Sequence, residues 1–84
     1  MLDASMTQHD PYRTLKALDL LREIAEKISA GAEFSNTELG RKASGFYVET
    51  RERAKTFGVK TVITEGQLVF LQGIEKRLKV RRAN

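Results

Sequence analysis

The strongest pattern in the sequence is an amphipathic stripe near the start of the chain, and the other elements must pack against it. Its apolar residues recur at helical spacing between residues 11 and 30, as Ala17, Leu18, Leu21, Ile24, Ala25 and Ile28. Asp10 followed by Pro11 is typical of a helix N-terminus, and Gly31 suits the position after a helix end. The pattern predicts one long helix. Because the chain has only 84 residues, the other elements must bury that stripe.

A second helix start follows the first helix. Ser35 and Glu38 have the spacing of a capping box, in which each residue satisfies a backbone N–H near the other. Phe34 and Leu39 flank the pair at the positions of a hydrophobic staple. A second helix is therefore predicted to begin at Asn36.

A break and a third helix come next. Residues 44–45, Ser-Gly, are expected to end the second helix after about two turns. Beyond them, a further stripe predicts a third helix over residues 46–57, ended by Gly58. Its inward-facing members are Tyr47, Thr50, Ala54 and Phe57.

After Gly58 the apolar period changes from about 3.6 residues to about 2 residues. Residues 59–64 alternate in polarity, residues 65–66 (Glu-Gly) are typical of a turn, and residues 67–72 return through the apolar run LVFL. This pattern predicts a β-hairpin that packs on the helices. The segment from residue 74 onward, IEKRLKVRRAN, is compatible with a helix and with an extended arm, and both stay open.

The order of these elements resembles the winged helix-turn-helix family of DNA-binding domains, over the stretch ELGRKASGFYVETRERAKTFGVKTVITEGQLVFLQ. The resemblance implies an α+β fold, with a three-helix helix-turn-helix core followed by a β-hairpin wing and a basic C-terminal tail or helix. It also implies that Leu39 and Ala43 are buried and that helices cross at Gly40. The predicted organisation is a disordered N-terminal segment (residues 1–9), a winged helix-turn-helix domain (residues 10–73) and a basic C-terminal tail (residues 74–84).

Charge is unevenly distributed along the chain. Residues 1–40 carry four Lys and Arg against seven Asp and Glu, a balance of −3, whereas residues 41–84 carry eleven against four, a balance of +7. Such asymmetry is typical of proteins that bind nucleic acids. By resemblance, the helix after Gly45 enters the major groove. The predicted nucleic-acid-binding residues are Arg41, Lys42, Arg51, Arg53, Lys55, Thr56, Lys60, Lys76, Arg77, Lys79, Arg81 and Arg82.

Several kinds of site are not indicated by the sequence. There is no cysteine, and His9 is the only histidine, so we expect no cofactor, no metal site and no enzymatic activity. The first residues lack the basic and apolar regions of a signal peptide, and the longest apolar run, residues 68–71, is too short to cross a membrane. We therefore expect a cytoplasmic protein that does not span a membrane.

The leading hypothesis is a small protein that binds duplex DNA in transcriptional regulation or another DNA transaction. A homodimer is expected, since one helix reads only a few base pairs. The alternative is a protein-interaction module with the same fold, such as a small phage-like modulator of a larger host machine. Glu49 and Glu52 on the reading helix and a wing tip without basic residues favour that alternative. RNA binding through the basic tail is a third hypothesis.

Overall fold

The computed structural model describes residues 9–80, which form three α-helices without a β-strand. The helices are α1, Pro11–Ser29; α2, Glu38–Phe57; and α3, Glu65–Arg77. A short 3-10 helix, Gly58–Lys60, follows α2, and residues 61–64, which we call the connector, lead from it into α3. This part of the chain is all-helical, so the predicted α+β fold with its β-hairpin wing is wrong.

The predicted first helix is confirmed at both ends. The carboxylate of Asp10 accepts a hydrogen bond from the backbone N–H of Arg13 at 3.2 Å, and proline occupies the first turn. The helix ends at Ser29, and Gly31 follows with a φ of 108°, a left-handed conformation that suits glycine. The helix buries Thr14, Ala17, Leu21 and Ile24, and the last three of these belong to the predicted stripe.

Helix α2 begins at Glu38 instead of Asn36 because Thr37, rather than Ser35, caps it. The Thr37 hydroxyl accepts a hydrogen bond from the backbone N–H of Gly40 at 3.0 Å. Ser35 lies directly against Gly40, where a Cβ would overlap the Ser35 carbonyl group. The predicted capping box is therefore wrong, and Gly40 is needed where the preceding loop crosses the start of α2.

Helix α2 runs through residues 44–45 without a break, so the two helices predicted on either side of them are one. Gly45 is exposed and does not have a positive φ. Glycine in a helix interior costs about 1 kcal/mol relative to alanine. Burial of one continuous face, through Gly40, Tyr47 and Thr50, offsets that cost, because packing stabilises most helices more than propensity does. The predicted helix-turn-helix corner at residues 44–45 is wrong.

The predicted hairpin is replaced by the connector and α3. The Thr64 hydroxyl accepts a hydrogen bond from the N–H of Gln67 at 3.1 Å, and the Gln67 side chain accepts one from the N–H of Thr64 at 2.9 Å. This capping box makes residues 65–66, predicted as a turn, the first turn of a helix. The residues that the helix buries on one face are Leu68, Leu71 and Ile74.

The C-terminal segment starts as a helix rather than as an extended arm. Helix α3 continues past Gly73 to Arg77, and Leu78 is buried in the core. Residues 81–84 lie outside the described residues. The predicted disordered segment also lies outside them except for His9, whose imidazole is hydrogen-bonded to the carbonyl oxygen of Val59 at 2.7 Å.

The connector joins the helices through its backbone carbonyls. The carbonyl oxygens of residues 61, 62 and 63 accept hydrogen bonds from the side chains of Thr14, Arg53 and Arg13, in that order. The bond from Thr14 to Thr61 is buried and 2.6 Å long. Helices α1 and α2 therefore both hold the segment that positions the start of α3.

Alanine substitutions at two glycines of α2 should have opposite effects. Gly45→Ala is expected to raise the free energy of unfolding by about 0.5–1 kcal/mol, because the position is an exposed helix interior. Gly40→Ala is expected to lower it by about 1–3 kcal/mol, because the new Cβ would overlap the Ser35 carbonyl. Urea unfolding followed by circular dichroism measures both. A loss of stability in Gly45→Ala would favour a break at that position and contradict a continuous α2.

Candidate functional site

A groove of about 820 Å³ lies between the N-terminal half of α2 and the C-terminal half of α3. We call it the α2–α3 groove. Its apolar lining includes Phe34, Leu39, Ala43, Phe70, Gly73 and Ile74, and Arg77 and Lys79 line it at the C-terminal end of α3.

The two helices that border the groove run antiparallel. Phe46 on α2 packs edge-to-face against Phe70 on α3, with ring centroids 4.8 Å apart and planes at 84°. Farther along α2, Arg53 reaches the carbonyl oxygen of Val62, just before α3 begins. The groove therefore extends from the aromatic contact toward the N-terminus of α2 and the C-terminus of α3.

Small residues give the groove its depth. Gly40 and Ala43 line it from α2, and Gly73 lines it from α3. Among residues 9–80, no atom outside the helix's own neighbouring backbone lies within 4 Å of where a Cβ on Gly73 would be, so this side of α3 faces open space. Leu39 is 50% exposed and Val69 is 60% exposed on the two bordering helices. Half-exposed apolar side chains around an apolar groove are typical of a binding surface.

The C-terminal end of α3 makes one end of the groove positive. Arg77 and Lys79 line it, Lys76 precedes them, and none of these three cations forms an ion pair within residues 9–80. Glu33 is the acid among the lining residues. Cations in the last turn of a helix also interact favourably with its dipole. A ligand entering this end would therefore meet a net positive charge.

Lys27 on α1 fixes the position of that end. Its ammonium donates to the carbonyl oxygens of Glu75 at 2.5 Å and Leu78 at 3.1 Å, and it pairs with the Glu75 carboxylate at 2.9 Å. The two hydrogen bonds satisfy carbonyls at the C-terminus of α3. The ion pair neutralises Glu75, so that this acid does not cancel the charge of the neighbouring cations.

Three of the predicted nucleic-acid-binding residues on α2 have partners within the protein. Arg53 is half-buried and donates a hydrogen bond to the carbonyl oxygen of Val62 in the connector. Lys55 forms an exposed ion pair with Glu52 at 3.5 Å. Arg41 donates to the side chain of Asn36 at 3.4 Å, also at the surface.

The remaining predicted residues do not form one surface. Thr56 donates its hydroxyl to the backbone of its own helix at 3.2 Å, and Lys42, Arg51 and Lys60 are exposed. Arg41 lies on the side of α2 away from the groove, because it is two positions after Leu39 on the helix, and Arg51 lies about two turns beyond Ala43, the last α2 residue of the lining. Arg77 and Lys79 are brought together at the groove, and Lys76 is exposed beside them. Arg81 and Arg82 lie outside the residues that the structure describes.

The sequence patterns did not reveal the groove, because its α3 side was predicted as a strand. Val69, Phe70 and Gly73 fall in or beside the predicted hairpin, where strand geometry would separate them. One signal was available: Thr64 and Gln67 have the spacing of a capping box, which predicts a helix start in place of a hairpin turn.

Metal and membrane sites receive no support from the described part of the chain. Residues 9–80 contain no group of three or more His, Cys, Asp or Glu side chains placed to hold a metal ion. None of the helices within this range is long and apolar enough to cross a membrane.

No protein-family model, curated protein or solved structure matches the chain. The geometry of the α2–α3 groove is therefore the basis for a functional proposal.

Replacing Lys27 should destabilise the protein more than replacing an exposed cation of the same helix. Lys27→Met leaves two carbonyls without their donor and Glu75 without its partner, so the free energy of unfolding is expected to fall by about 1–3 kcal/mol. Arg22→Met is the matched control, because the Arg22 ion pair with Asp19 is exposed and worth less than about 1 kcal/mol. Equal effects in urea unfolding would contradict the role given to Lys27.

Proposed function

We propose that this chain is a small protein-interaction module, and that its α2–α3 groove binds an apolar, acidic segment of a partner protein. One observation carries the proposal: half-exposed Leu39 and Val69 border an apolar groove whose one end holds the cations Arg77 and Lys79. The alternative hypothesis from the sequence is also a protein-interaction module, but the present proposal assigns binding to an all-helical fold and to the α2–α3 groove.

The shape of the groove favours a helical segment as its ligand. It lies between two antiparallel helices, and small residues such as Gly73 allow another backbone to approach closely. An amphipathic helix inserts anchors at positions i, i+3 or i+4, and i+7 into a groove of this kind. Burying apolar area contributes about 25 cal/mol per Å², which makes the apolar lining the source of affinity.

The positive end of the groove supplies orientation. Carboxylates on the ligand would be attracted to Arg77 and Lys79, which have no ion-pair partner within residues 9–80. Such exposed charges add little to affinity but steer association and disfavour ligands of the wrong sign. The expected ligand is therefore apolar on one face and acidic toward one end.

Filling the groove with a larger side chain at Gly73 should weaken ligand binding without unfolding the protein. The probe is a fluorescein-labelled synthetic amphipathic helix, with leucine at i, i+4 and i+7, glutamates near one end and alanine or glutamine elsewhere. Its binding is measured by fluorescence anisotropy. Gly73→Leu places a side chain in open space, so the variant should fold and bind the probe at least about tenfold more weakly, a loss of about 1.4 kcal/mol.

Two matched controls separate groove binding from other effects. Gly45→Leu makes the same substitution at an exposed position of α2 outside the groove and should bind the probe as the wild type does. Arg77→Glu with Lys79→Glu should weaken binding, whereas Arg51→Glu with Lys60→Glu should not. Unchanged binding by a folded Gly73→Leu variant would overturn the proposal.

A second candidate function is binding to nucleic-acid phosphates through the C-terminal cations. Lys76, Arg77 and Lys79 are exposed without ion pairs among the described residues, and Arg81 and Arg82 follow them in the sequence. Contacts to phosphates position a protein on DNA or RNA but carry no sequence information. This candidate needs neither a reading helix nor a wing.

Salt titration distinguishes the second candidate from the first. If the cations bind phosphates, affinity for a random duplex or a single-stranded RNA should fall steeply with salt, and the Arg77→Glu and Lys79→Glu double variant should lose most of it. Gly73→Leu should bind nucleic acid as the wild type does, because it leaves the cations in place. No binding by the wild type at low salt would eliminate this candidate.

A further inference from the structure

We propose, on the basis of the function proposed above, that the α2–α3 groove also receives α1 of a second copy of this chain. The motivating observation is an exposed second stripe on α1, opposite the buried one. Tyr12 is 81% exposed and Leu15 is 51% exposed, one helical turn apart. Glu23 and Glu26 continue the same outward side toward the end of the helix and are also exposed.

The outward stripe of α1 and the groove have complementary chemistry. Tyr12 and Leu15 form the apolar end of the stripe, beside the exposed Lys16, and Glu23 and Glu26 form its acidic end. The groove is apolar where Val69 borders it and carries cations at the end of α3. Glu23 and Glu26 form no ion pair within residues 9–80, whereas Asp19 on the same side is paired with Arg22 at 3.3 Å. The two glutamates are therefore the acids available to the cations of another copy.

The spacing of the two surfaces also matches. Leu15 and Glu23 are as far apart along α1 as Val69 and Arg77 are along α3, about 12 Å in each case. If α1 of one copy lay parallel to α3 of the other, Tyr12 and Leu15 would cover the apolar lining while the glutamates approached the cations. The net charges of the two halves of the sequence have the same signs as these two surfaces: −3 for residues 1–40, which include α1, and +7 for residues 41–84, which include α3.

The association would join two different surfaces, so it would be heterologous. One copy offers α1 to a second copy and its groove to a third, which produces chains or rings rather than a closed pair. Because the groove can hold only one helix, a partner segment and a second copy would compete for it. Binding of a partner would then dissociate the assembly.

Two variants that each lose one surface provide the test. Gly73→Leu fills the groove and keeps the outward stripe, whereas Tyr12→Gln with Leu15→Gln removes the stripe and keeps the groove. Both change exposed or open positions, so both should fold. In analytical ultracentrifugation, the average mass of the wild type should rise with protein concentration and fall with added salt.

Mixing the variants gives the sharpest outcome. Each variant alone should remain a monomer, and an equimolar mixture should form a dimer of twice the monomer mass, because only one groove and one stripe remain to pair. A monomeric wild type at hundreds of micromolar, or a mixture that stays monomeric, would overturn self-association. If a monomeric wild type still binds the synthetic helix and Gly73→Leu does not, self-association is excluded but the proposed function is supported. If the wild type also fails to bind the synthetic helix, both proposals are overturned.

Discussion

Three consecutive backbone carbonyls, those of residues 61–63, tie the helices together. Side chains of Thr14, Arg53 and Arg13 donate to them, and no strand partner does so within the described residues. A hydrogen bond from a neutral donor contributes about 1 kcal/mol and one from a charged donor about 1.5–3 kcal/mol, but a buried carbonyl left without a donor costs as much or more. The connector is therefore held extended between α1 and α2, and it sets where α3 begins.

The groove is a consequence of that arrangement. Helix α3 packs mainly on α1, whereas α2 contacts α1 and the 3-10 helix that follows it, and the edge-to-face contact of Phe46 with Phe70 joins α2 to α3 directly. Beyond this contact, the small residues Ala43 and Gly73 leave the space between the helices unfilled. A fold built around one central helix thus leaves an apolar surface open, and a ligand can bury it.

The basic residues divide between the fold and the surface. Arg13, Arg53 and Lys27 bind carbonyls, and their charges hold α3 in place. Arg77 and Lys79 have no ion-pair partner within residues 9–80 and face the groove. The cations of the second half of the chain therefore do not form one binding surface. A count of these residues overestimates how many of them a ligand can contact.

Helix α1, with its cap at Asp10 and its end before Gly31, could be predicted from the amino-acid sequence, and so could the unequal charge of the two halves. These are local properties, set by hydrogen bonds and periodicity within one helix. Tertiary structure decided that α2 continues through Gly45, that residues 65–77 are helical and that Leu39 and Val69 border one groove. Short apolar runs such as residues 68–71 suit a strand and a helix equally. The capping box of Thr64 and Gln67 favours the helix locally, and side chains distant in sequence, which bind the connector carbonyls, position its start.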